Sequence, residues 1–327
     1  MENIEPMVEL KKNEIGEIPA GTGYYWLADA EKILFSGKTS NLKNSIRKIF
    51  SADKDDKNIF QLVSLTQKIC YQETDSLFVA LLEEKKIQLK HNPEFNQNIR
   101  PYDSFVYLAV DFYNVPFLKL VESTQEKFYY LGPFQNRFFI YDLIEAMANL
   151  FQFPSCENEE YPCNKLKEKI CLGWCIKDKP EIAEMLLGSY FQINQKLVDK
   201  VKDQQELLLE NLEFETSEKL KEQLQVIEKY YDLLKFLHVT KKLDTTLSYE
   251  NKTIKITNGL ISEINDNNKI WRFDNLQPDY RNNEFLAHDK SQLAERLIIY
   301  SHLMKNKLDS IDGIYKKSIL KFKEDLE

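Results

Sequence analysis

The spacing of apolar residues changes period several times along the chain, and each change marks an element. Aromatic and branched residues crowd residues 22–27 (TGYYWL) and 33–36 (ILFS), with the turn-like ADAE between them, which predicts a β-hairpin. Asn41 then caps a predicted helix running through Phe50, because Leu42, Ile46, Ile49 and Phe50 recur at helical spacing on one side. Residues 59–69 and 76–91 also read as helices. In the second of these, Leu77, Ala80, Leu81, Glu84 and Ile87 fall near one face, and Pro93 stands just past the end. A carboxylate on an otherwise apolar stripe is the first sign of chemistry.

Apolar segments at 105–110, 117–121 and 128–131 predict a second small sheet, followed by a helix over 138–150. From 180 to about 243 the pattern is helical nearly throughout, whereas 246–273 alternates β-branched stretches such as TIKIT and LISEI. A last helical region is predicted from about 291 to the end. The class is therefore α+β. A chain of 327 residues exceeds one ordinary core, so two or three small modules are expected. No exact repeat or low-complexity tract stands out, and the nine glycines form no flexible linker.

Composition narrows the function. With 43% apolar and 29% charged residues and no run near the ~20 apolar residues that span a bilayer, no membrane association is expected. The start, MENIEPMVELKKNE, carries carboxylates where a secretory signal needs a basic end and an apolar block, so the cytoplasm is the expected compartment. A net charge of -8 weighs against indiscriminate binding of polyanions, and any DNA contact must be local. One stretch qualifies: residues 38–48 (KTSNLKNSIRK) hold Lys38, Lys43, Arg47 and Lys48 without an acid. On charge alone this is either a solvated helix face or a phosphate-binding one.

Three motifs sharpen the reading. GYY at 23–25 and FSG at 35–37 are followed by Lys38 and Asn41-Leu42; TDSLFVALLEEKKIQLKHNPEFN fills 74–96; YLGPF stands at 130–134. From about residue 19 to 175 the chain thus resembles the UvrC family of GIY-YIG nucleases and its shorter relative Cho. The resemblance implies a catalytic set of Tyr25, Lys38, Glu84 and Asn96, with Glu84 holding one Mg or Mn ion that offsets phosphate charge. Three positions depart from the family: Phe35 stands for a tyrosine, Ser45 for a phosphate-clamping arginine, and Ile49 for a further tyrosine. DNA contacts are expected at Lys38, Asn41, Lys43, Arg47 and Lys48. Read without the resemblance, Glu84 is an ordinary helix acid and Tyr25 an ordinary strand aromatic.

Four of the five cysteines, Cys156, Cys163, Cys171 and Cys175, follow C-x6-C-x7-C-x3-C, while Cys70 stands apart as a small apolar residue. A local thiol cluster points to metal, and spacing does not choose between zinc and iron-sulfur. The resemblance implies a [4Fe-4S] cluster, with zinc or unliganded thiols as alternatives. Residues 207–230 resemble the UVR motif, the helical hairpin by which UvrC docks on UvrB, with NLEFE at 211–215. Leu209, Leu212, Phe214, Leu220 and Leu224 are its expected partner-binding residues.

The expected division is a tail at 1–18, a GIY-YIG domain with a small mixed sheet and flanking helices at 19–100, an accessory β/α segment at 101–155, the cysteine segment at 156–180, the helical UVR region at 181–243 and a small α+β unit at 244–327. The second nuclease and DNA clamp of full-length UvrC are not expected within these residues, and the resemblance is nearer to Cho. The implied function is binding of damaged double-stranded DNA with a UvrB-like protein and incision on the 3′ side of the lesion, in nucleotide excision repair. The alternative is an adaptor or redox-sensitive regulator whose catalytic site has lapsed.

Overall fold

The computed structural model describes residues 8–52, 56–125, 128–151, 163–168, 172–266, 269–273 and 286–306, with Tyr315 besides. It forms two compact units, each assembled from separate stretches. The first draws on Met1–Pro101, Thr245–Asn275 and Ala294–Asn306, the second on Tyr102–Asp244, Leu276–Leu293 and Lys307–Glu327.

The first unit opens with a four-stranded sheet of β1 (Val8–Lys11), β2 (Gly23–Ala28), β3 (Ile33–Thr39) and β4 (Lys68–Glu73). The strand order is β1-β4-β2-β3 and every pairing is antiparallel. Helices α1 (Leu42–Phe50), α2 (Lys57–Leu65), α3 (Leu77–His91) and α4 (Glu94–Asn98) complete this stretch. Local chemistry starts them: the side chains of Asn41, Asp56 and Ser76 each accept a backbone N–H at the first turn of α1, α2 and α3. Side-chain alternation then feeds two cores. Tyr25, Leu27, Ile69 and Tyr71 pack with Leu42, Ile46 and Phe95 on one face, and Tyr24, Trp26 and Cys70 pack with Ala80 and Ile87 on the other.

Two expectations are corrected in this unit. The helix expected to reach residue 69 stops at Leu65, where the Thr66 hydroxyl bonds the Leu62 carbonyl, and Lys68–Glu73 becomes a strand. Its Ile-Cys-Tyr run supplies alternate faces of a sheet buried on both sides, so no polar residue interrupts it to announce a strand. The stretch expected as a tail includes β1, whose residues Val8 to Lys11 pair with Tyr71 to Lys68.

In the second unit, β5 (Val106–Val110), β6 (Leu118–Val121) and β7 (Tyr129–Phe134) form a sheet that the short strand Leu286–Ala287 joins in parallel to β7. Helix α5 (Arg137–Phe151) follows, then the short α6 (Asn164–Lys167), α7 (Lys179–Leu186), α8 (Gln195–Glu210) and the long α9 (Phe214–Lys241). The α8–α9 turn is made at Leu212, which adopts φ 61°. The root of α9 is anchored by polar groups: the Tyr230 hydroxyl donates to the Tyr190 carbonyl, and His238 Nε2 lies 2.8 Å from the Phe191 carbonyl.

The chain then adds an antiparallel meander to the first unit, β8 (Thr245–Tyr249), β9 (Lys252–Thr257), β10 (Leu260–Asn265) and β11 (Ile270–Arg272), and later α10 (Leu293–Lys305). The stretch after residue 244, expected as one small unit, is instead divided: β8–β11 and α10 cover the outer side of α3, whereas Leu286–Ala287 joins the sheet of the second unit. The Phe78 ring stacks on His302 with centroids 3.9 Å apart, and ion pairs join Glu83 to Lys252 at 3.0 Å and Lys85 to Glu295 at 2.7 Å. Covered on two sides, α3 buries Phe78, Ala80, Leu81, Leu82, Glu84 and Ile87. Among the described residues no helix is long and apolar enough to cross a membrane.

Candidate active site

Strand β3 is the edge of its sheet, and its register sorts the motif residues. Lys38 lies opposite Tyr24, on the face that packs against α3. There its Nζ donates to Glu84 Oε2 at 2.7 Å, with the lysine side chain 20% and the glutamate side chain 5% exposed. The other carboxylate oxygen, Oε1, accepts from Gln88 Nε2 at 2.9 Å, one turn further along α3. A buried carboxylate is costly unless each oxygen finds a donor, and both oxygens here do.

Tyr25 lies opposite Gly37 on the other face. Its ring covers that glycine so closely that an added Cβ would stand 2.7 Å from Tyr25 Cζ, which accounts for the glycine of the FSG segment. Phe35 sits beside it, ring centroids 6.2 Å apart. Burial pushes the Tyr25 phenol up, and the charge of Glu84 adds to the effect, so the hydroxyl keeps its proton at neutral pH. Lys38 and Glu84 are thus in direct contact at the Gly37–Lys38 end of β3, while Tyr25 covers Gly37 from the other face and feels the charge of Glu84.

Asn96 acts on the strand itself. Its Oδ1 accepts from the Ser36 N–H at 2.8 Å and its Nδ2 donates to the Ser36 carbonyl at 2.8 Å. One side-chain amide therefore does for edge strand β3 what a neighbouring backbone would do. Asn41 is occupied as the cap of α1. Ser45 Oγ lies 2.6 Å from Thr39 Oγ1, facing the end of β3, whereas Arg47 and Lys48 are exposed and Lys43 half-buried. Ile49 packs against the core. The basic residues therefore stand on the outward side of α1, and the position matching the family's arginine holds a hydroxyl pair.

Among the described residues no group of three or more His, Cys, Asp or Glu is placed to hold a metal ion. Among the described residues Glu84 is the one buried acid, with Lys38 beside it, and a lone carboxylate fits Mg or Mn, which keep several waters and use one or two carboxylates with substrate phosphates. Of the cysteine cluster, Cys156 and Cys171 lie outside the described residues, as does the Cys175 side chain; Cys163 is half-buried before α6. Along the hairpin, Leu209, Leu212 and Phe214 are exposed, but Leu220 and Leu224 are 8% and 4% exposed, buried within their own unit. Leu220 and Leu224 therefore do not form the expected exposed face, because the α9 stripe is consumed by packing on α8 and α5. Sequence reasoning missed Gln88 and Thr39; a polar residue four positions after Glu84 on a helix was the available signal for Gln88.

Residues 21–97 match the family model described as the UvrC-like GIY-YIG domain. The chain is 26% identical to the UvrABC system protein C of Ligilactobacillus salivarius over 66% of its own length and 38% of that protein. It is 24% identical to the protein of the same name from Fervidobacterium nodosum over 95% of its own length and 56% of that protein. The chain thus spans between 38% and 56% of the length of these two relatives. Among solved structures, it is similar to the magnesium-bound GIY-YIG N-terminal endonuclease domain of UvrC from Thermotoga maritima, with 18% identity, a TM-score of 0.25, and coverage of 26% of this chain and 93% of that one.

Proposed function

We propose that this chain, whose residues 21–97 are a UvrC-like GIY-YIG domain, is a nucleotide-excision-repair endonuclease that hydrolyses a phosphodiester on the 3′ side of a lesion in double-stranded DNA. The observation that carries the reading is the buried Glu84 carboxylate, held at 2.7 Å by Lys38 and at 2.9 Å by Gln88. The exposed Arg47 and Lys48, with Lys43, bring the DNA backbone to the end of β3. Lys38 then exchanges the carboxylate for a phosphate oxygen. The Tyr25 hydroxyl, kept protonated, orients the attacking water. Glu84 would hold a Mg or Mn ion, which when bound would supply charge neutralisation on the phosphate. Asn96 holds β3, and with it Lys38, in register.

Phe35 and Ser45 remove one proton-transfer group and one fixed cation, each worth about 10² to 10⁴ in rate, so turnover is slow. The test is incision of a lesion-bearing duplex with a UvrB-like protein and Mn. Wild type incises, Glu84→Gln loses about 10² to 10⁴ of that rate, and Phe35→Tyr with Ser45→Arg gains. Equal incision by wild type and Glu84→Gln sinks the proposal.

The exposed Leu209, Leu212 and Phe214 serve as the docking tip for the UvrB-like partner, and the cytoplasm is the compartment. The four cysteines bind a [4Fe-4S] cluster; absorbance near about 400 nm from anaerobically purified protein supports this, and colourless, zinc-loaded protein ends it.

A further inference from the structure

The two oxygens of Glu84 are held by donors of different kinds. Oε1 takes a neutral amide N–H from Gln88, four residues on along the same helix, at 2.9 Å. Oε2 takes the Lys38 ammonium, reaching from another element at 2.7 Å. Because Glu84 and Gln88 share one rigid helix and lie at the i,i+4 spacing that makes side chains neighbours, their contact does not depend on β3 or on anything bound. The lysine is different. It sits on the edge strand, is the more exposed of the pair, and carries a flexible stem and a charge that an arriving phosphate attracts.

Resting on the reading of Glu84 as a metal ligand, we infer that Gln88 is a positioning residue: it fixes the rotation of the Glu84 carboxylate so that Oε2 is the oxygen presented to a divalent cation, while Lys38 holds that oxygen until cation and phosphate arrive. Without Gln88, Oε1 loses its partner within α3, and Lys38 is left as the one hold on the carboxylate, which turns about its last bond once Lys38 is released. Groups that orient a metal ligand in this way are worth about 10- to 100-fold in metal affinity.

The test is Mn binding by the full chain without DNA, read from the loss of the free Mn electron paramagnetic resonance signal, with thermal unfolding followed in parallel. Gln88→Met keeps the side-chain length and removes the donor; it lowers the unfolding midpoint modestly, because a buried carboxylate oxygen loses its partner, and in the still-folded protein weakens Mn binding about tenfold. Gln88→Glu places a second carboxylate one turn from the first and tightens binding beyond wild type. Lys38→Met removes the competing ammonium and also tightens it. Mn binding by Gln88→Met equal to wild type, in a protein where Glu84→Gln abolishes binding, overturns the inference and leaves the metal site standing. Mn binding that survives Glu84→Gln overturns the underlying reading instead.

Discussion

Glu84 in α3 buries a charge, whereas the turn between α8 and α9 exposes Leu212 to 71% and Phe214 to 61%. Ordinary folding does the reverse in both places. The buried charge is tolerated because two elements supply it with donors, α3 through Gln88 and β3 through Lys38, while the meander and α10 cover the outer side of α3 at Glu83 and Lys85. The exposed tip has no such support, since its helices have spent their apolar stripe on each other and on α5. The contrast separates two ways in which a protein shows function. On the proposed reading, the buried Glu84 is held by its own fold for chemistry. A group exposed against its nature awaits something outside.

The hairpin provides the largest test of that contrast, because its leucines fall on both sides of it. Leu224 is 4% exposed and fills the interior of its unit, so Leu224→Ala costs about 2 to 5 kcal/mol in urea unfolding. Leu212→Ser touches no core and stays within about 0.5 kcal/mol of wild type, yet it weakens capture of the UvrB-like partner. If Leu212→Ser unfolds as readily as Leu224→Ala, the tip is part of the core and the comparison fails.

At the root of the same hairpin the expected effect is of similar kind but depends on pH. Burial pushes the His238 imidazole down to about 4 from an ordinary 6.5, since the charged ring cannot be solvated there. As pH falls, the unfolded chain takes up this proton first. The stability that His238 contributes is therefore complete above about pH 6.5 and drains away as pH drops to about 4, on the order of 3 kcal/mol in all. His238→Gln keeps a donor for the Phe191 carbonyl and flattens the unfolding free energy across that window. Identical pH profiles for the two proteins would sink this account.

Much of this was legible from residues alone, and the limits were physical. The hairpin of β2 and β3, the cap at Asn41, and Glu84 on an apolar stripe follow from local spacing, and all three are local features. Strand β4 was hidden because a strand buried on both faces lacks the polar alternation that marks one at a surface. The partnership of Lys38 with Glu84 spans 46 positions and needs the register of β3 against α3, which no local pattern encodes. The same is true of Leu220 and Leu224: helical spacing identifies an apolar stripe but not whether the chain's own helices or a partner cover it. The family resemblance supplied Asn96 as a site residue, and its two bonds to Ser36 give that position a physical task.

The smallest expected effect concerns how tightly the site itself is built. Gly37 is roofed by Tyr25: a Cβ there would meet Tyr25 Cζ at 2.7 Å and the hydroxyl oxygen at 2.8 Å, whereas a Cβ at Gly16 meets nothing within 4 Å. Gly37→Ala must therefore lift a buried ring or bend an edge strand, at a cost of about 1 to 3 kcal/mol, and Gly16→Ala is the matched control with open space around it. The displaced ring also carries the Tyr25 hydroxyl away from its place over Gly37, so on the proposed reading Gly37→Ala loses incision by more than its fall in thermal midpoint explains. Should Gly37→Ala and Gly16→Ala melt together and incise alike, the close packing of Tyr25 on β3 has no bearing on the site, and the buried side of the contrast rests on Glu84, Lys38 and Gln88 alone.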